Sequence, residues 1–223
     1  MKFLLIILFF LFSCISIAGL NYSKDGKVLD PGMYWAIHAR NELNDFNKGK
    51  GKSSKIMHHL LLSSSYGFKA SMLGISAIYQ NGDYGFDQDL PRSYAWMQLV
   101  SENKKIKFSD RLSFLKKQLS TSQLKESEKI LKHLSKTYKQ DSTMKKFKKW
   151  YREATAVTGS HVQGKHSYLH LQITTSTGRK LTAFEFYNQL DKINDERLDD
   201  LYEVVPHEIK IIEDKDSSSQ DKK

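Results

Sequence analysis

Three histidines stand close together in "HVQGKHSYLH", at positions 161, 166 and 170. On a helix, His166 and His170 would share a face at the four-residue spacing that zinc sites use. The segment 166–174 instead alternates, with Leu169, Leu171 and Ile173 on one side, and predicts a half-buried strand. Four residues of strand span roughly 13 Å, too far for one ion, so a zinc or copper site there needs ligands from elsewhere, such as His207. Surface imidazoles beside a strand are the expected reading. His58 and His59 are neighbours on an expected helix, point to different sides and read as structural. Gly51-Lys52-Ser53 imitates the end of a phosphate-binding loop, but Phe46 stands where that motif needs its first glycine and no strand precedes it. Asp191, Asp195, Glu196, Asp199 and Asp200 lie along an amphipathic stretch that lacks the loop glycine of an EF-hand, and read as a solvated face. There is no Gly-x-Ser-x-Gly elbow and no His-Glu-x-x-His pair. The residues predict no catalytic, cofactor-binding or metal site, and a protein that is not an enzyme.

The chain opens with one lysine, an apolar run over 3–12 and then small residues, which is the layout of a secretory signal peptide. The run is shorter than the roughly 20 residues a membrane span needs. Cleavage is expected after Ala18. Leu11-Phe12-Ser13-Cys14 is an imperfect lipidation motif, with a bulky Phe where a small residue is usual, so a lipid anchor on Cys14 is the less favoured alternative. The expected location is the periplasm or the extracellular space. Cys14 is the only cysteine. Its loss with the leader removes disulfides, thiolate metal sites and cysteine nucleophiles from consideration.

Lys and Arg number 35 against 25 acids, for a net charge of +10. The excess is uneven. Residues 100–152 hold 16 basic and 5 acidic side chains, whereas residues 183–216 hold 4 basic and 11 acidic ones. Such asymmetry suits attraction to an anionic membrane surface, pairing of the two halves, or simply solvated helix faces. Export argues against a nucleic-acid partner.

The elements that must carry these residues are mostly helices. From 32 to about 138 apolar residues recur at helical spacing. Loops are expected at 47–55 and 82–89. Ser120-x-x-Gln123 forms a capping box ahead of Leu124, Ile130, Leu131 and Leu134. Residues 140–143 break the pattern before a basic helix over 144–153. Past 158 the composition changes: a strand ending at Thr174, a turn at Ser176-Thr177-Gly178-Arg179, and an amphipathic helix over 183–202. Its apolar face would use Phe184, Tyr187, Leu190, Leu198 and Leu201. A short final strand is expected over 208–213. The expected division is a signal peptide at 1–18, a helical region at 19–142, a basic helix and linker at 143–160, a small α+β unit at 161–213 and a disordered tail at 214–223.

Within the helical region one order of residues stands out: Gly67, Ser71, Ile75, Ser76, Tyr79, Gly82, Gly85, Phe86, Asp89, Ser93, Trp96, Val100 and Ser101. Small residues at 71, 76, 93 and 101 let two antiparallel helices approach closely, and Tyr79 and Trp96 fill the space beside them. Gly82 suits a left-handed helix end, Asp89 an N-cap and Pro91 a first helical turn. The order resembles the Sel1-like repeat, a helix–loop–helix unit related to the tetratricopeptide repeat. Gly67, Ser71, Tyr79, Gly82, Gly85, Asp89 and Trp96 are the repeat-defining positions. Serines replace most of the family's alanines, and two residues separate Gly82 from Gly85 where the family has one. The resemblance continues through 138 and reaches back to 32, where His59, Ser63 and Ser64 precede Trp96, Val100 and Ser101 by 37 positions.

The resemblance implies a mainly α fold, a short α-solenoid with a small C-terminal α+β extension. It also implies a non-catalytic interaction or scaffolding role in the bacterial cell envelope. An envelope protein or peptide is the implied partner, with Tyr84, Phe86 and Tyr94 as candidate contacts. The alternative is an envelope enzyme or ligand-binding protein acting on peptidoglycan or β-lactams, as has been linked to some cysteine-rich secreted members. Those members are held by disulfides within each repeat, which this chain lacks.

Overall fold

The computed structural model describes residues 20–102, 108–156 and 172–198, with side chains through 196. The described chain is mainly helical with a few short strands. Two short strands, β1 (Asn21–Tyr22) and β2 (Val28–Leu29), pair antiparallel at its start. The helices α1 (Pro31–Asn47), α2 (Ser53–Ser65), α3 (Lys69–Asn81) and α4 (Leu90–Ser101) follow. Next come α5 (Ser109–Lys117), α6 (Thr121–Tyr138) and α7 (Gln140–Thr155). The chain then forms β3 (Gln172–Thr174), β4 (Lys180–Thr182) and α8 (Ala183–Leu198).

Helix ends set this order. Asp30, itself buried, caps α1 by accepting from the backbone N–H groups of Gly32 at 2.8 Å and Met33 at 3.3 Å, with Pro31 in the first turn. Gly51 sits so close to α1 that a Cβ there would lie 2.4 Å from the Phe46 nitrogen, which fixes the tight α1–α2 turn. Ser120 and Gln123 make the expected capping box at the start of α6. The polar residues 140–143 do not interrupt the helices as expected. Lys139 alone turns the corner in an extended conformation (φ −62°, ψ 149°), and α7 begins at Gln140. Asp141 then stands in its first turn, where a carboxylate suits the helix dipole.

Two apolar cores result. The first joins α1 to α6 and contains Ile56, Met72, Ile75, Ile78, Trp96, Met97 and Leu99, with Leu124, Leu131, Leu134 and Tyr138 of α6 packed against it. Helix α4 is its centre, covered by α3, α5 and α6, and is buried along most of its circumference. The second core joins Val28 of β2, Phe147, Trp150 and Ala154 of α7, Ile173 of β3, Leu181 of β4, and Phe186 and Leu190 of α8.

The second core draws on both ends of the described chain. The basic helix forms as α7, and Thr143, Phe147, Trp150 and Ala154 along it are buried; residues 157–160 of the expected linker lie outside the described residues. Residues 20–29 belong with the C-terminal elements rather than with the repeat-like region. The Val28 amide donates to Gln189 Oε1 at 2.8 Å, and Arg179 Nη1 donates to the Asp25 carbonyl at 2.7 Å. The expected turn at 176–179 links β3 to β4, with Gly178 at φ +81°. Phe184 is a correction. Helix α8 begins at Ala183, so its buried stripe runs Ala183, Phe186, Leu190, and Phe184 stands 50% exposed. Leu201, the expected strand at 208–213, most of the expected strand before 172 and the tail from 214 lie outside the described residues.

Candidate functional site

The α3–α4 hairpin holds the residues that the sequence singled out. Its helices meet through serines. Ser76 Oγ donates to the Ser93 carbonyl at 2.9 Å, and Ser93 Oγ donates to the Ser76 carbonyl at 2.8 Å, both residues being fully buried. Small side chains here let the two helix backbones come within reach of one hydroxyl. A second serine contact sits between hairpins: Ser71 Oγ donates to Ser63 Oγ at 2.8 Å, and Ser63 Oγ donates to the Gly32 carbonyl at 2.7 Å.

At the hairpin tip Gly82 is left-handed (φ +72°) and its N–H donates to the Ile78 carbonyl, ending α3. Asp89 caps α4 through the Arg92 amide at 2.8 Å, and its own N–H donates to the Tyr79 carbonyl at 2.8 Å. Gly67 and Gly85 are likewise at positive φ. Tyr84, a non-glycine residue, is also at positive φ (+55°), and its ring meets Phe46 at the end of α1 edge-on, centroids 5.6 Å apart. That strained backbone is tolerated because the neighbouring hairpin grips the side chain. Phe86 packs edge-on to Tyr79 at 6.1 Å, and the Arg92 guanidinium covers the other ring at 4.9 Å. Gly85 lies beside Ser53 of α2, so the tips of the two hairpins abut.

These contacts sort the candidate residues. Tyr84 and Phe86 are half-buried in the ridge formed by the two tips and keep exposed edges. Tyr94 does not: it is only 7% exposed, because α4 is enclosed on several sides, so its ring is not open to a partner. Tyr79 and Trp96 belong to the packing. Trp96 is buried and meets Tyr138 of α6 at 4.7 Å.

A second feature escaped the sequence reading. Tyr34, Trp35 and His38 of α1 and His58 and His59 of α2 form one patch of rings. Trp35 stacks on His59 at 5.4 Å with 23° between planes, and His59 lies 5.5 Å from His38 and 5.6 Å from His58. Tyr34 meets His38 at 4.5 Å. His59 Nδ1 is buried without a hydrogen-bond partner. Burial first, then the neighbouring His38 and His58, hold the His59 imidazole below its ordinary pKa; Glu42, bonded by Lys55 at 3.3 Å, pulls weakly the other way. Both lowering effects favour the neutral imidazole, which lies against the indole face of Trp35. Trp35 and His38 share a helical face at three-residue spacing, a signal present in the sequence. Their meeting with His59 depends on the α1–α2 packing and is not.

Two other polar groups stand out. Arg111 of α5 is half-buried, donates from Nη2 to Gln80 Oε1 at 2.8 Å, and leaves Nε unpartnered; burial lowers its pKa. Tyr151 donates to Asp191 Oδ1 at 2.9 Å, tying α7 to α8. Burial, that hydrogen bond and the nearby carboxylates push its phenol up to about 12. Among the described residues no group of three or more His, Cys, Asp or Glu is placed to hold a metal. No helix there is long and apolar enough to cross a membrane. His161, His166, His170 and His207 lie outside the described residues. Comparison of the chain with protein-family models, curated proteins and solved structures finds no match.

Proposed function

We propose that this chain is a non-catalytic interaction protein of the bacterial cell envelope, working through a short Sel1-like, tetratricopeptide-like array. The observation that carries the reading is the pair of successive antiparallel hairpins, α1–α2 and α3–α4, drawn together by buried serines at their crossings. Such pairs cannot bury their faces singly and stack into surfaces that hold peptides or partner domains. Here α6 closes the array on α4, so the surface offered is short. Its contact points are the abutting tips, with the outer edges of Tyr84 and Phe86, and the ring patch around Trp35. Half-buried aromatics on a rigid frame are the residue types that anchor interfaces.

Cross-linked capture of partners from cells tests this. A Tyr84→Ala, Phe86→Ala double variant is compared with Phe184→Ala, whose exposed ring lies on α8, away from the hairpin tips. The proposal expects a discrete partner that the double variant loses and Phe184→Ala keeps, with both variants folded by circular dichroism. The same partners with both variants would contradict it.

A further inference from the structure

The basic excess of the middle region is not scattered over the surface. On α6, Lys125, Lys129, Lys132 and Lys136 recur at intervals of four, three and four, and all four are exposed. At 100° per residue they fall within a narrow sector, a line of charge about 16 Å long. The opposite side of α6 carries Leu124, Leu131, Leu134 and Tyr138 into the first core. Helix α7 repeats the arrangement: Lys145, Lys148, Lys149 and Arg152 are exposed, opposite the buried stripe of Phe147, Trp150 and Ala154. None of the four α6 lysines pairs with a described carboxylate. On α7, Lys149 reaches Glu153 at 3.8 Å, both side chains being well exposed.

We infer that the lysine stripe of α6 adsorbs the protein to an anionic phospholipid surface. The chemistry of the stripe chooses this partner. The stripes expose no large apolar side chain; among the described residues the exposed one is Phe184, on α8. A protein interface would want aromatic anchors and is poor in lysine. Single-stranded nucleic acid would want exposed rings for stacking, and duplex recognition would want arginine or amide side chains for base edges. A plane of phosphate headgroups asks only for a line of flexible point charges, which lysine supplies. The stripe is about twice the Debye length at physiological salt, so its ends act on different headgroups. The inference stands apart from the hairpin reading, since it uses the helix that closes the array rather than those that form its tips.

Co-sedimentation of the full chain with vesicles tests it. Neutral phosphatidylcholine vesicles set the baseline, including any contribution from the apolar residues 3–12. The second arm contains roughly 30 mol% phosphatidylglycerol. One variant carries Lys125→Gln, Lys129→Gln, Lys132→Gln and Lys136→Gln. A control removes the same charge from exposed lysines elsewhere, by Lys24→Gln, Lys48→Gln, Lys50→Gln and Lys52→Gln. Glutamine keeps helix propensity, and a fourfold Lys→Arg version keeps the charge. At about five-fold per lysine near an anionic surface, the stripe variant should lose roughly 600-fold in the anionic-specific partition. The control and the arginine version should stay within roughly five-fold of the wild type. Equal binding to neutral vesicles would overturn the inference, as would equal losses in the two glutamine variants, which would show net charge alone at work. Tighter binding to DNA or soluble polyphosphate than to vesicles would overturn it in favour of another polyanion.

Discussion

Replacing Ser76 by leucine tests the close crossing of α3 and α4. Ser76 and Ser93 are both fully buried and exchange hydroxyl-to-carbonyl bonds of 2.9 and 2.8 Å. Each carbonyl belongs to a helix, so deleting one hydroxyl leaves no orphaned backbone group. Ser76→Ala should therefore cost about 1 kcal/mol, the net value of one hydrogen bond. Ser76→Leu loses the same bond and forces a branched side chain between two backbones, adding about 1–3 kcal/mol of overpacking. The sum is about 2–4 kcal/mol. At about 2–4 °C per kcal/mol for a chain of this size, Ser76→Ala lowers Tm by about 2–4 °C and Ser76→Leu by about 5–15 °C. The assay is thermal and urea unfolding followed by circular dichroism and by tryptophan fluorescence, with coincident transitions required before free energies are compared. A leucine variant as stable as the alanine variant would refute the reasoning, because it would show spare room at the crossing.

The remaining predictions concern the ring patch and the second core. The His59 pKa is depressed in the fold, so its contribution to stability is full above the ordinary histidine value of about 6.5 and is lost as pH falls below it. Melts at pH 7.5 and 5.5 should show a larger acid-side loss for the wild type than for His59→Gln; equal losses would remove the patch from the acid response. Tyr151 should ionise near 12, and Asp191→Asn should bring that titration back towards the ordinary tyrosine range in the tyrosinate absorbance difference. No difference between the two titrations would contradict the α7–α8 hydrogen bond. Phe147→Ala empties a fully buried ring from the second core and should cost about 3–5 kcal/mol. Because Val28 shares that core, amides of residues 21–29 should lose hydrogen-exchange protection in the same variant; unchanged protection there would contradict the joining of the two ends.

What the sequence disclosed was local. Gly82, Asp89 and the Ser120–Gln123 box mark helix ends through groups a few residues apart, and each does so in the structure. The turn at 176–179 was legible for the same reason. What stayed hidden was long-range or too short to carry a period. The two-residue strands β1 and β2 have no alternation to detect, and the bond from Val28 to Gln189 spans 161 residues. Lys139 alone turns a corner for which polar composition predicts all of residues 140–143. Tyr94 was readable as a contact because a sequence shows one helix face at a time, whereas α4 is enclosed by three helices. The ring patch needs two helices side by side. Trp35 and His59 stand 24 positions apart, and their stacking is a product of α1–α2 packing.

The measurement closest to the central proposal is site-specific photo-cross-linking in living cells. A photoreactive residue placed at Tyr84, on the ridge of the two hairpin tips, is compared with one at Lys148 on the exposed side of α7. An interaction protein working through its hairpins predicts a discrete protein adduct at Tyr84 that is absent at Lys148. Adducts of the same protein at both positions, or none at Tyr84 or at Trp35, would contradict it.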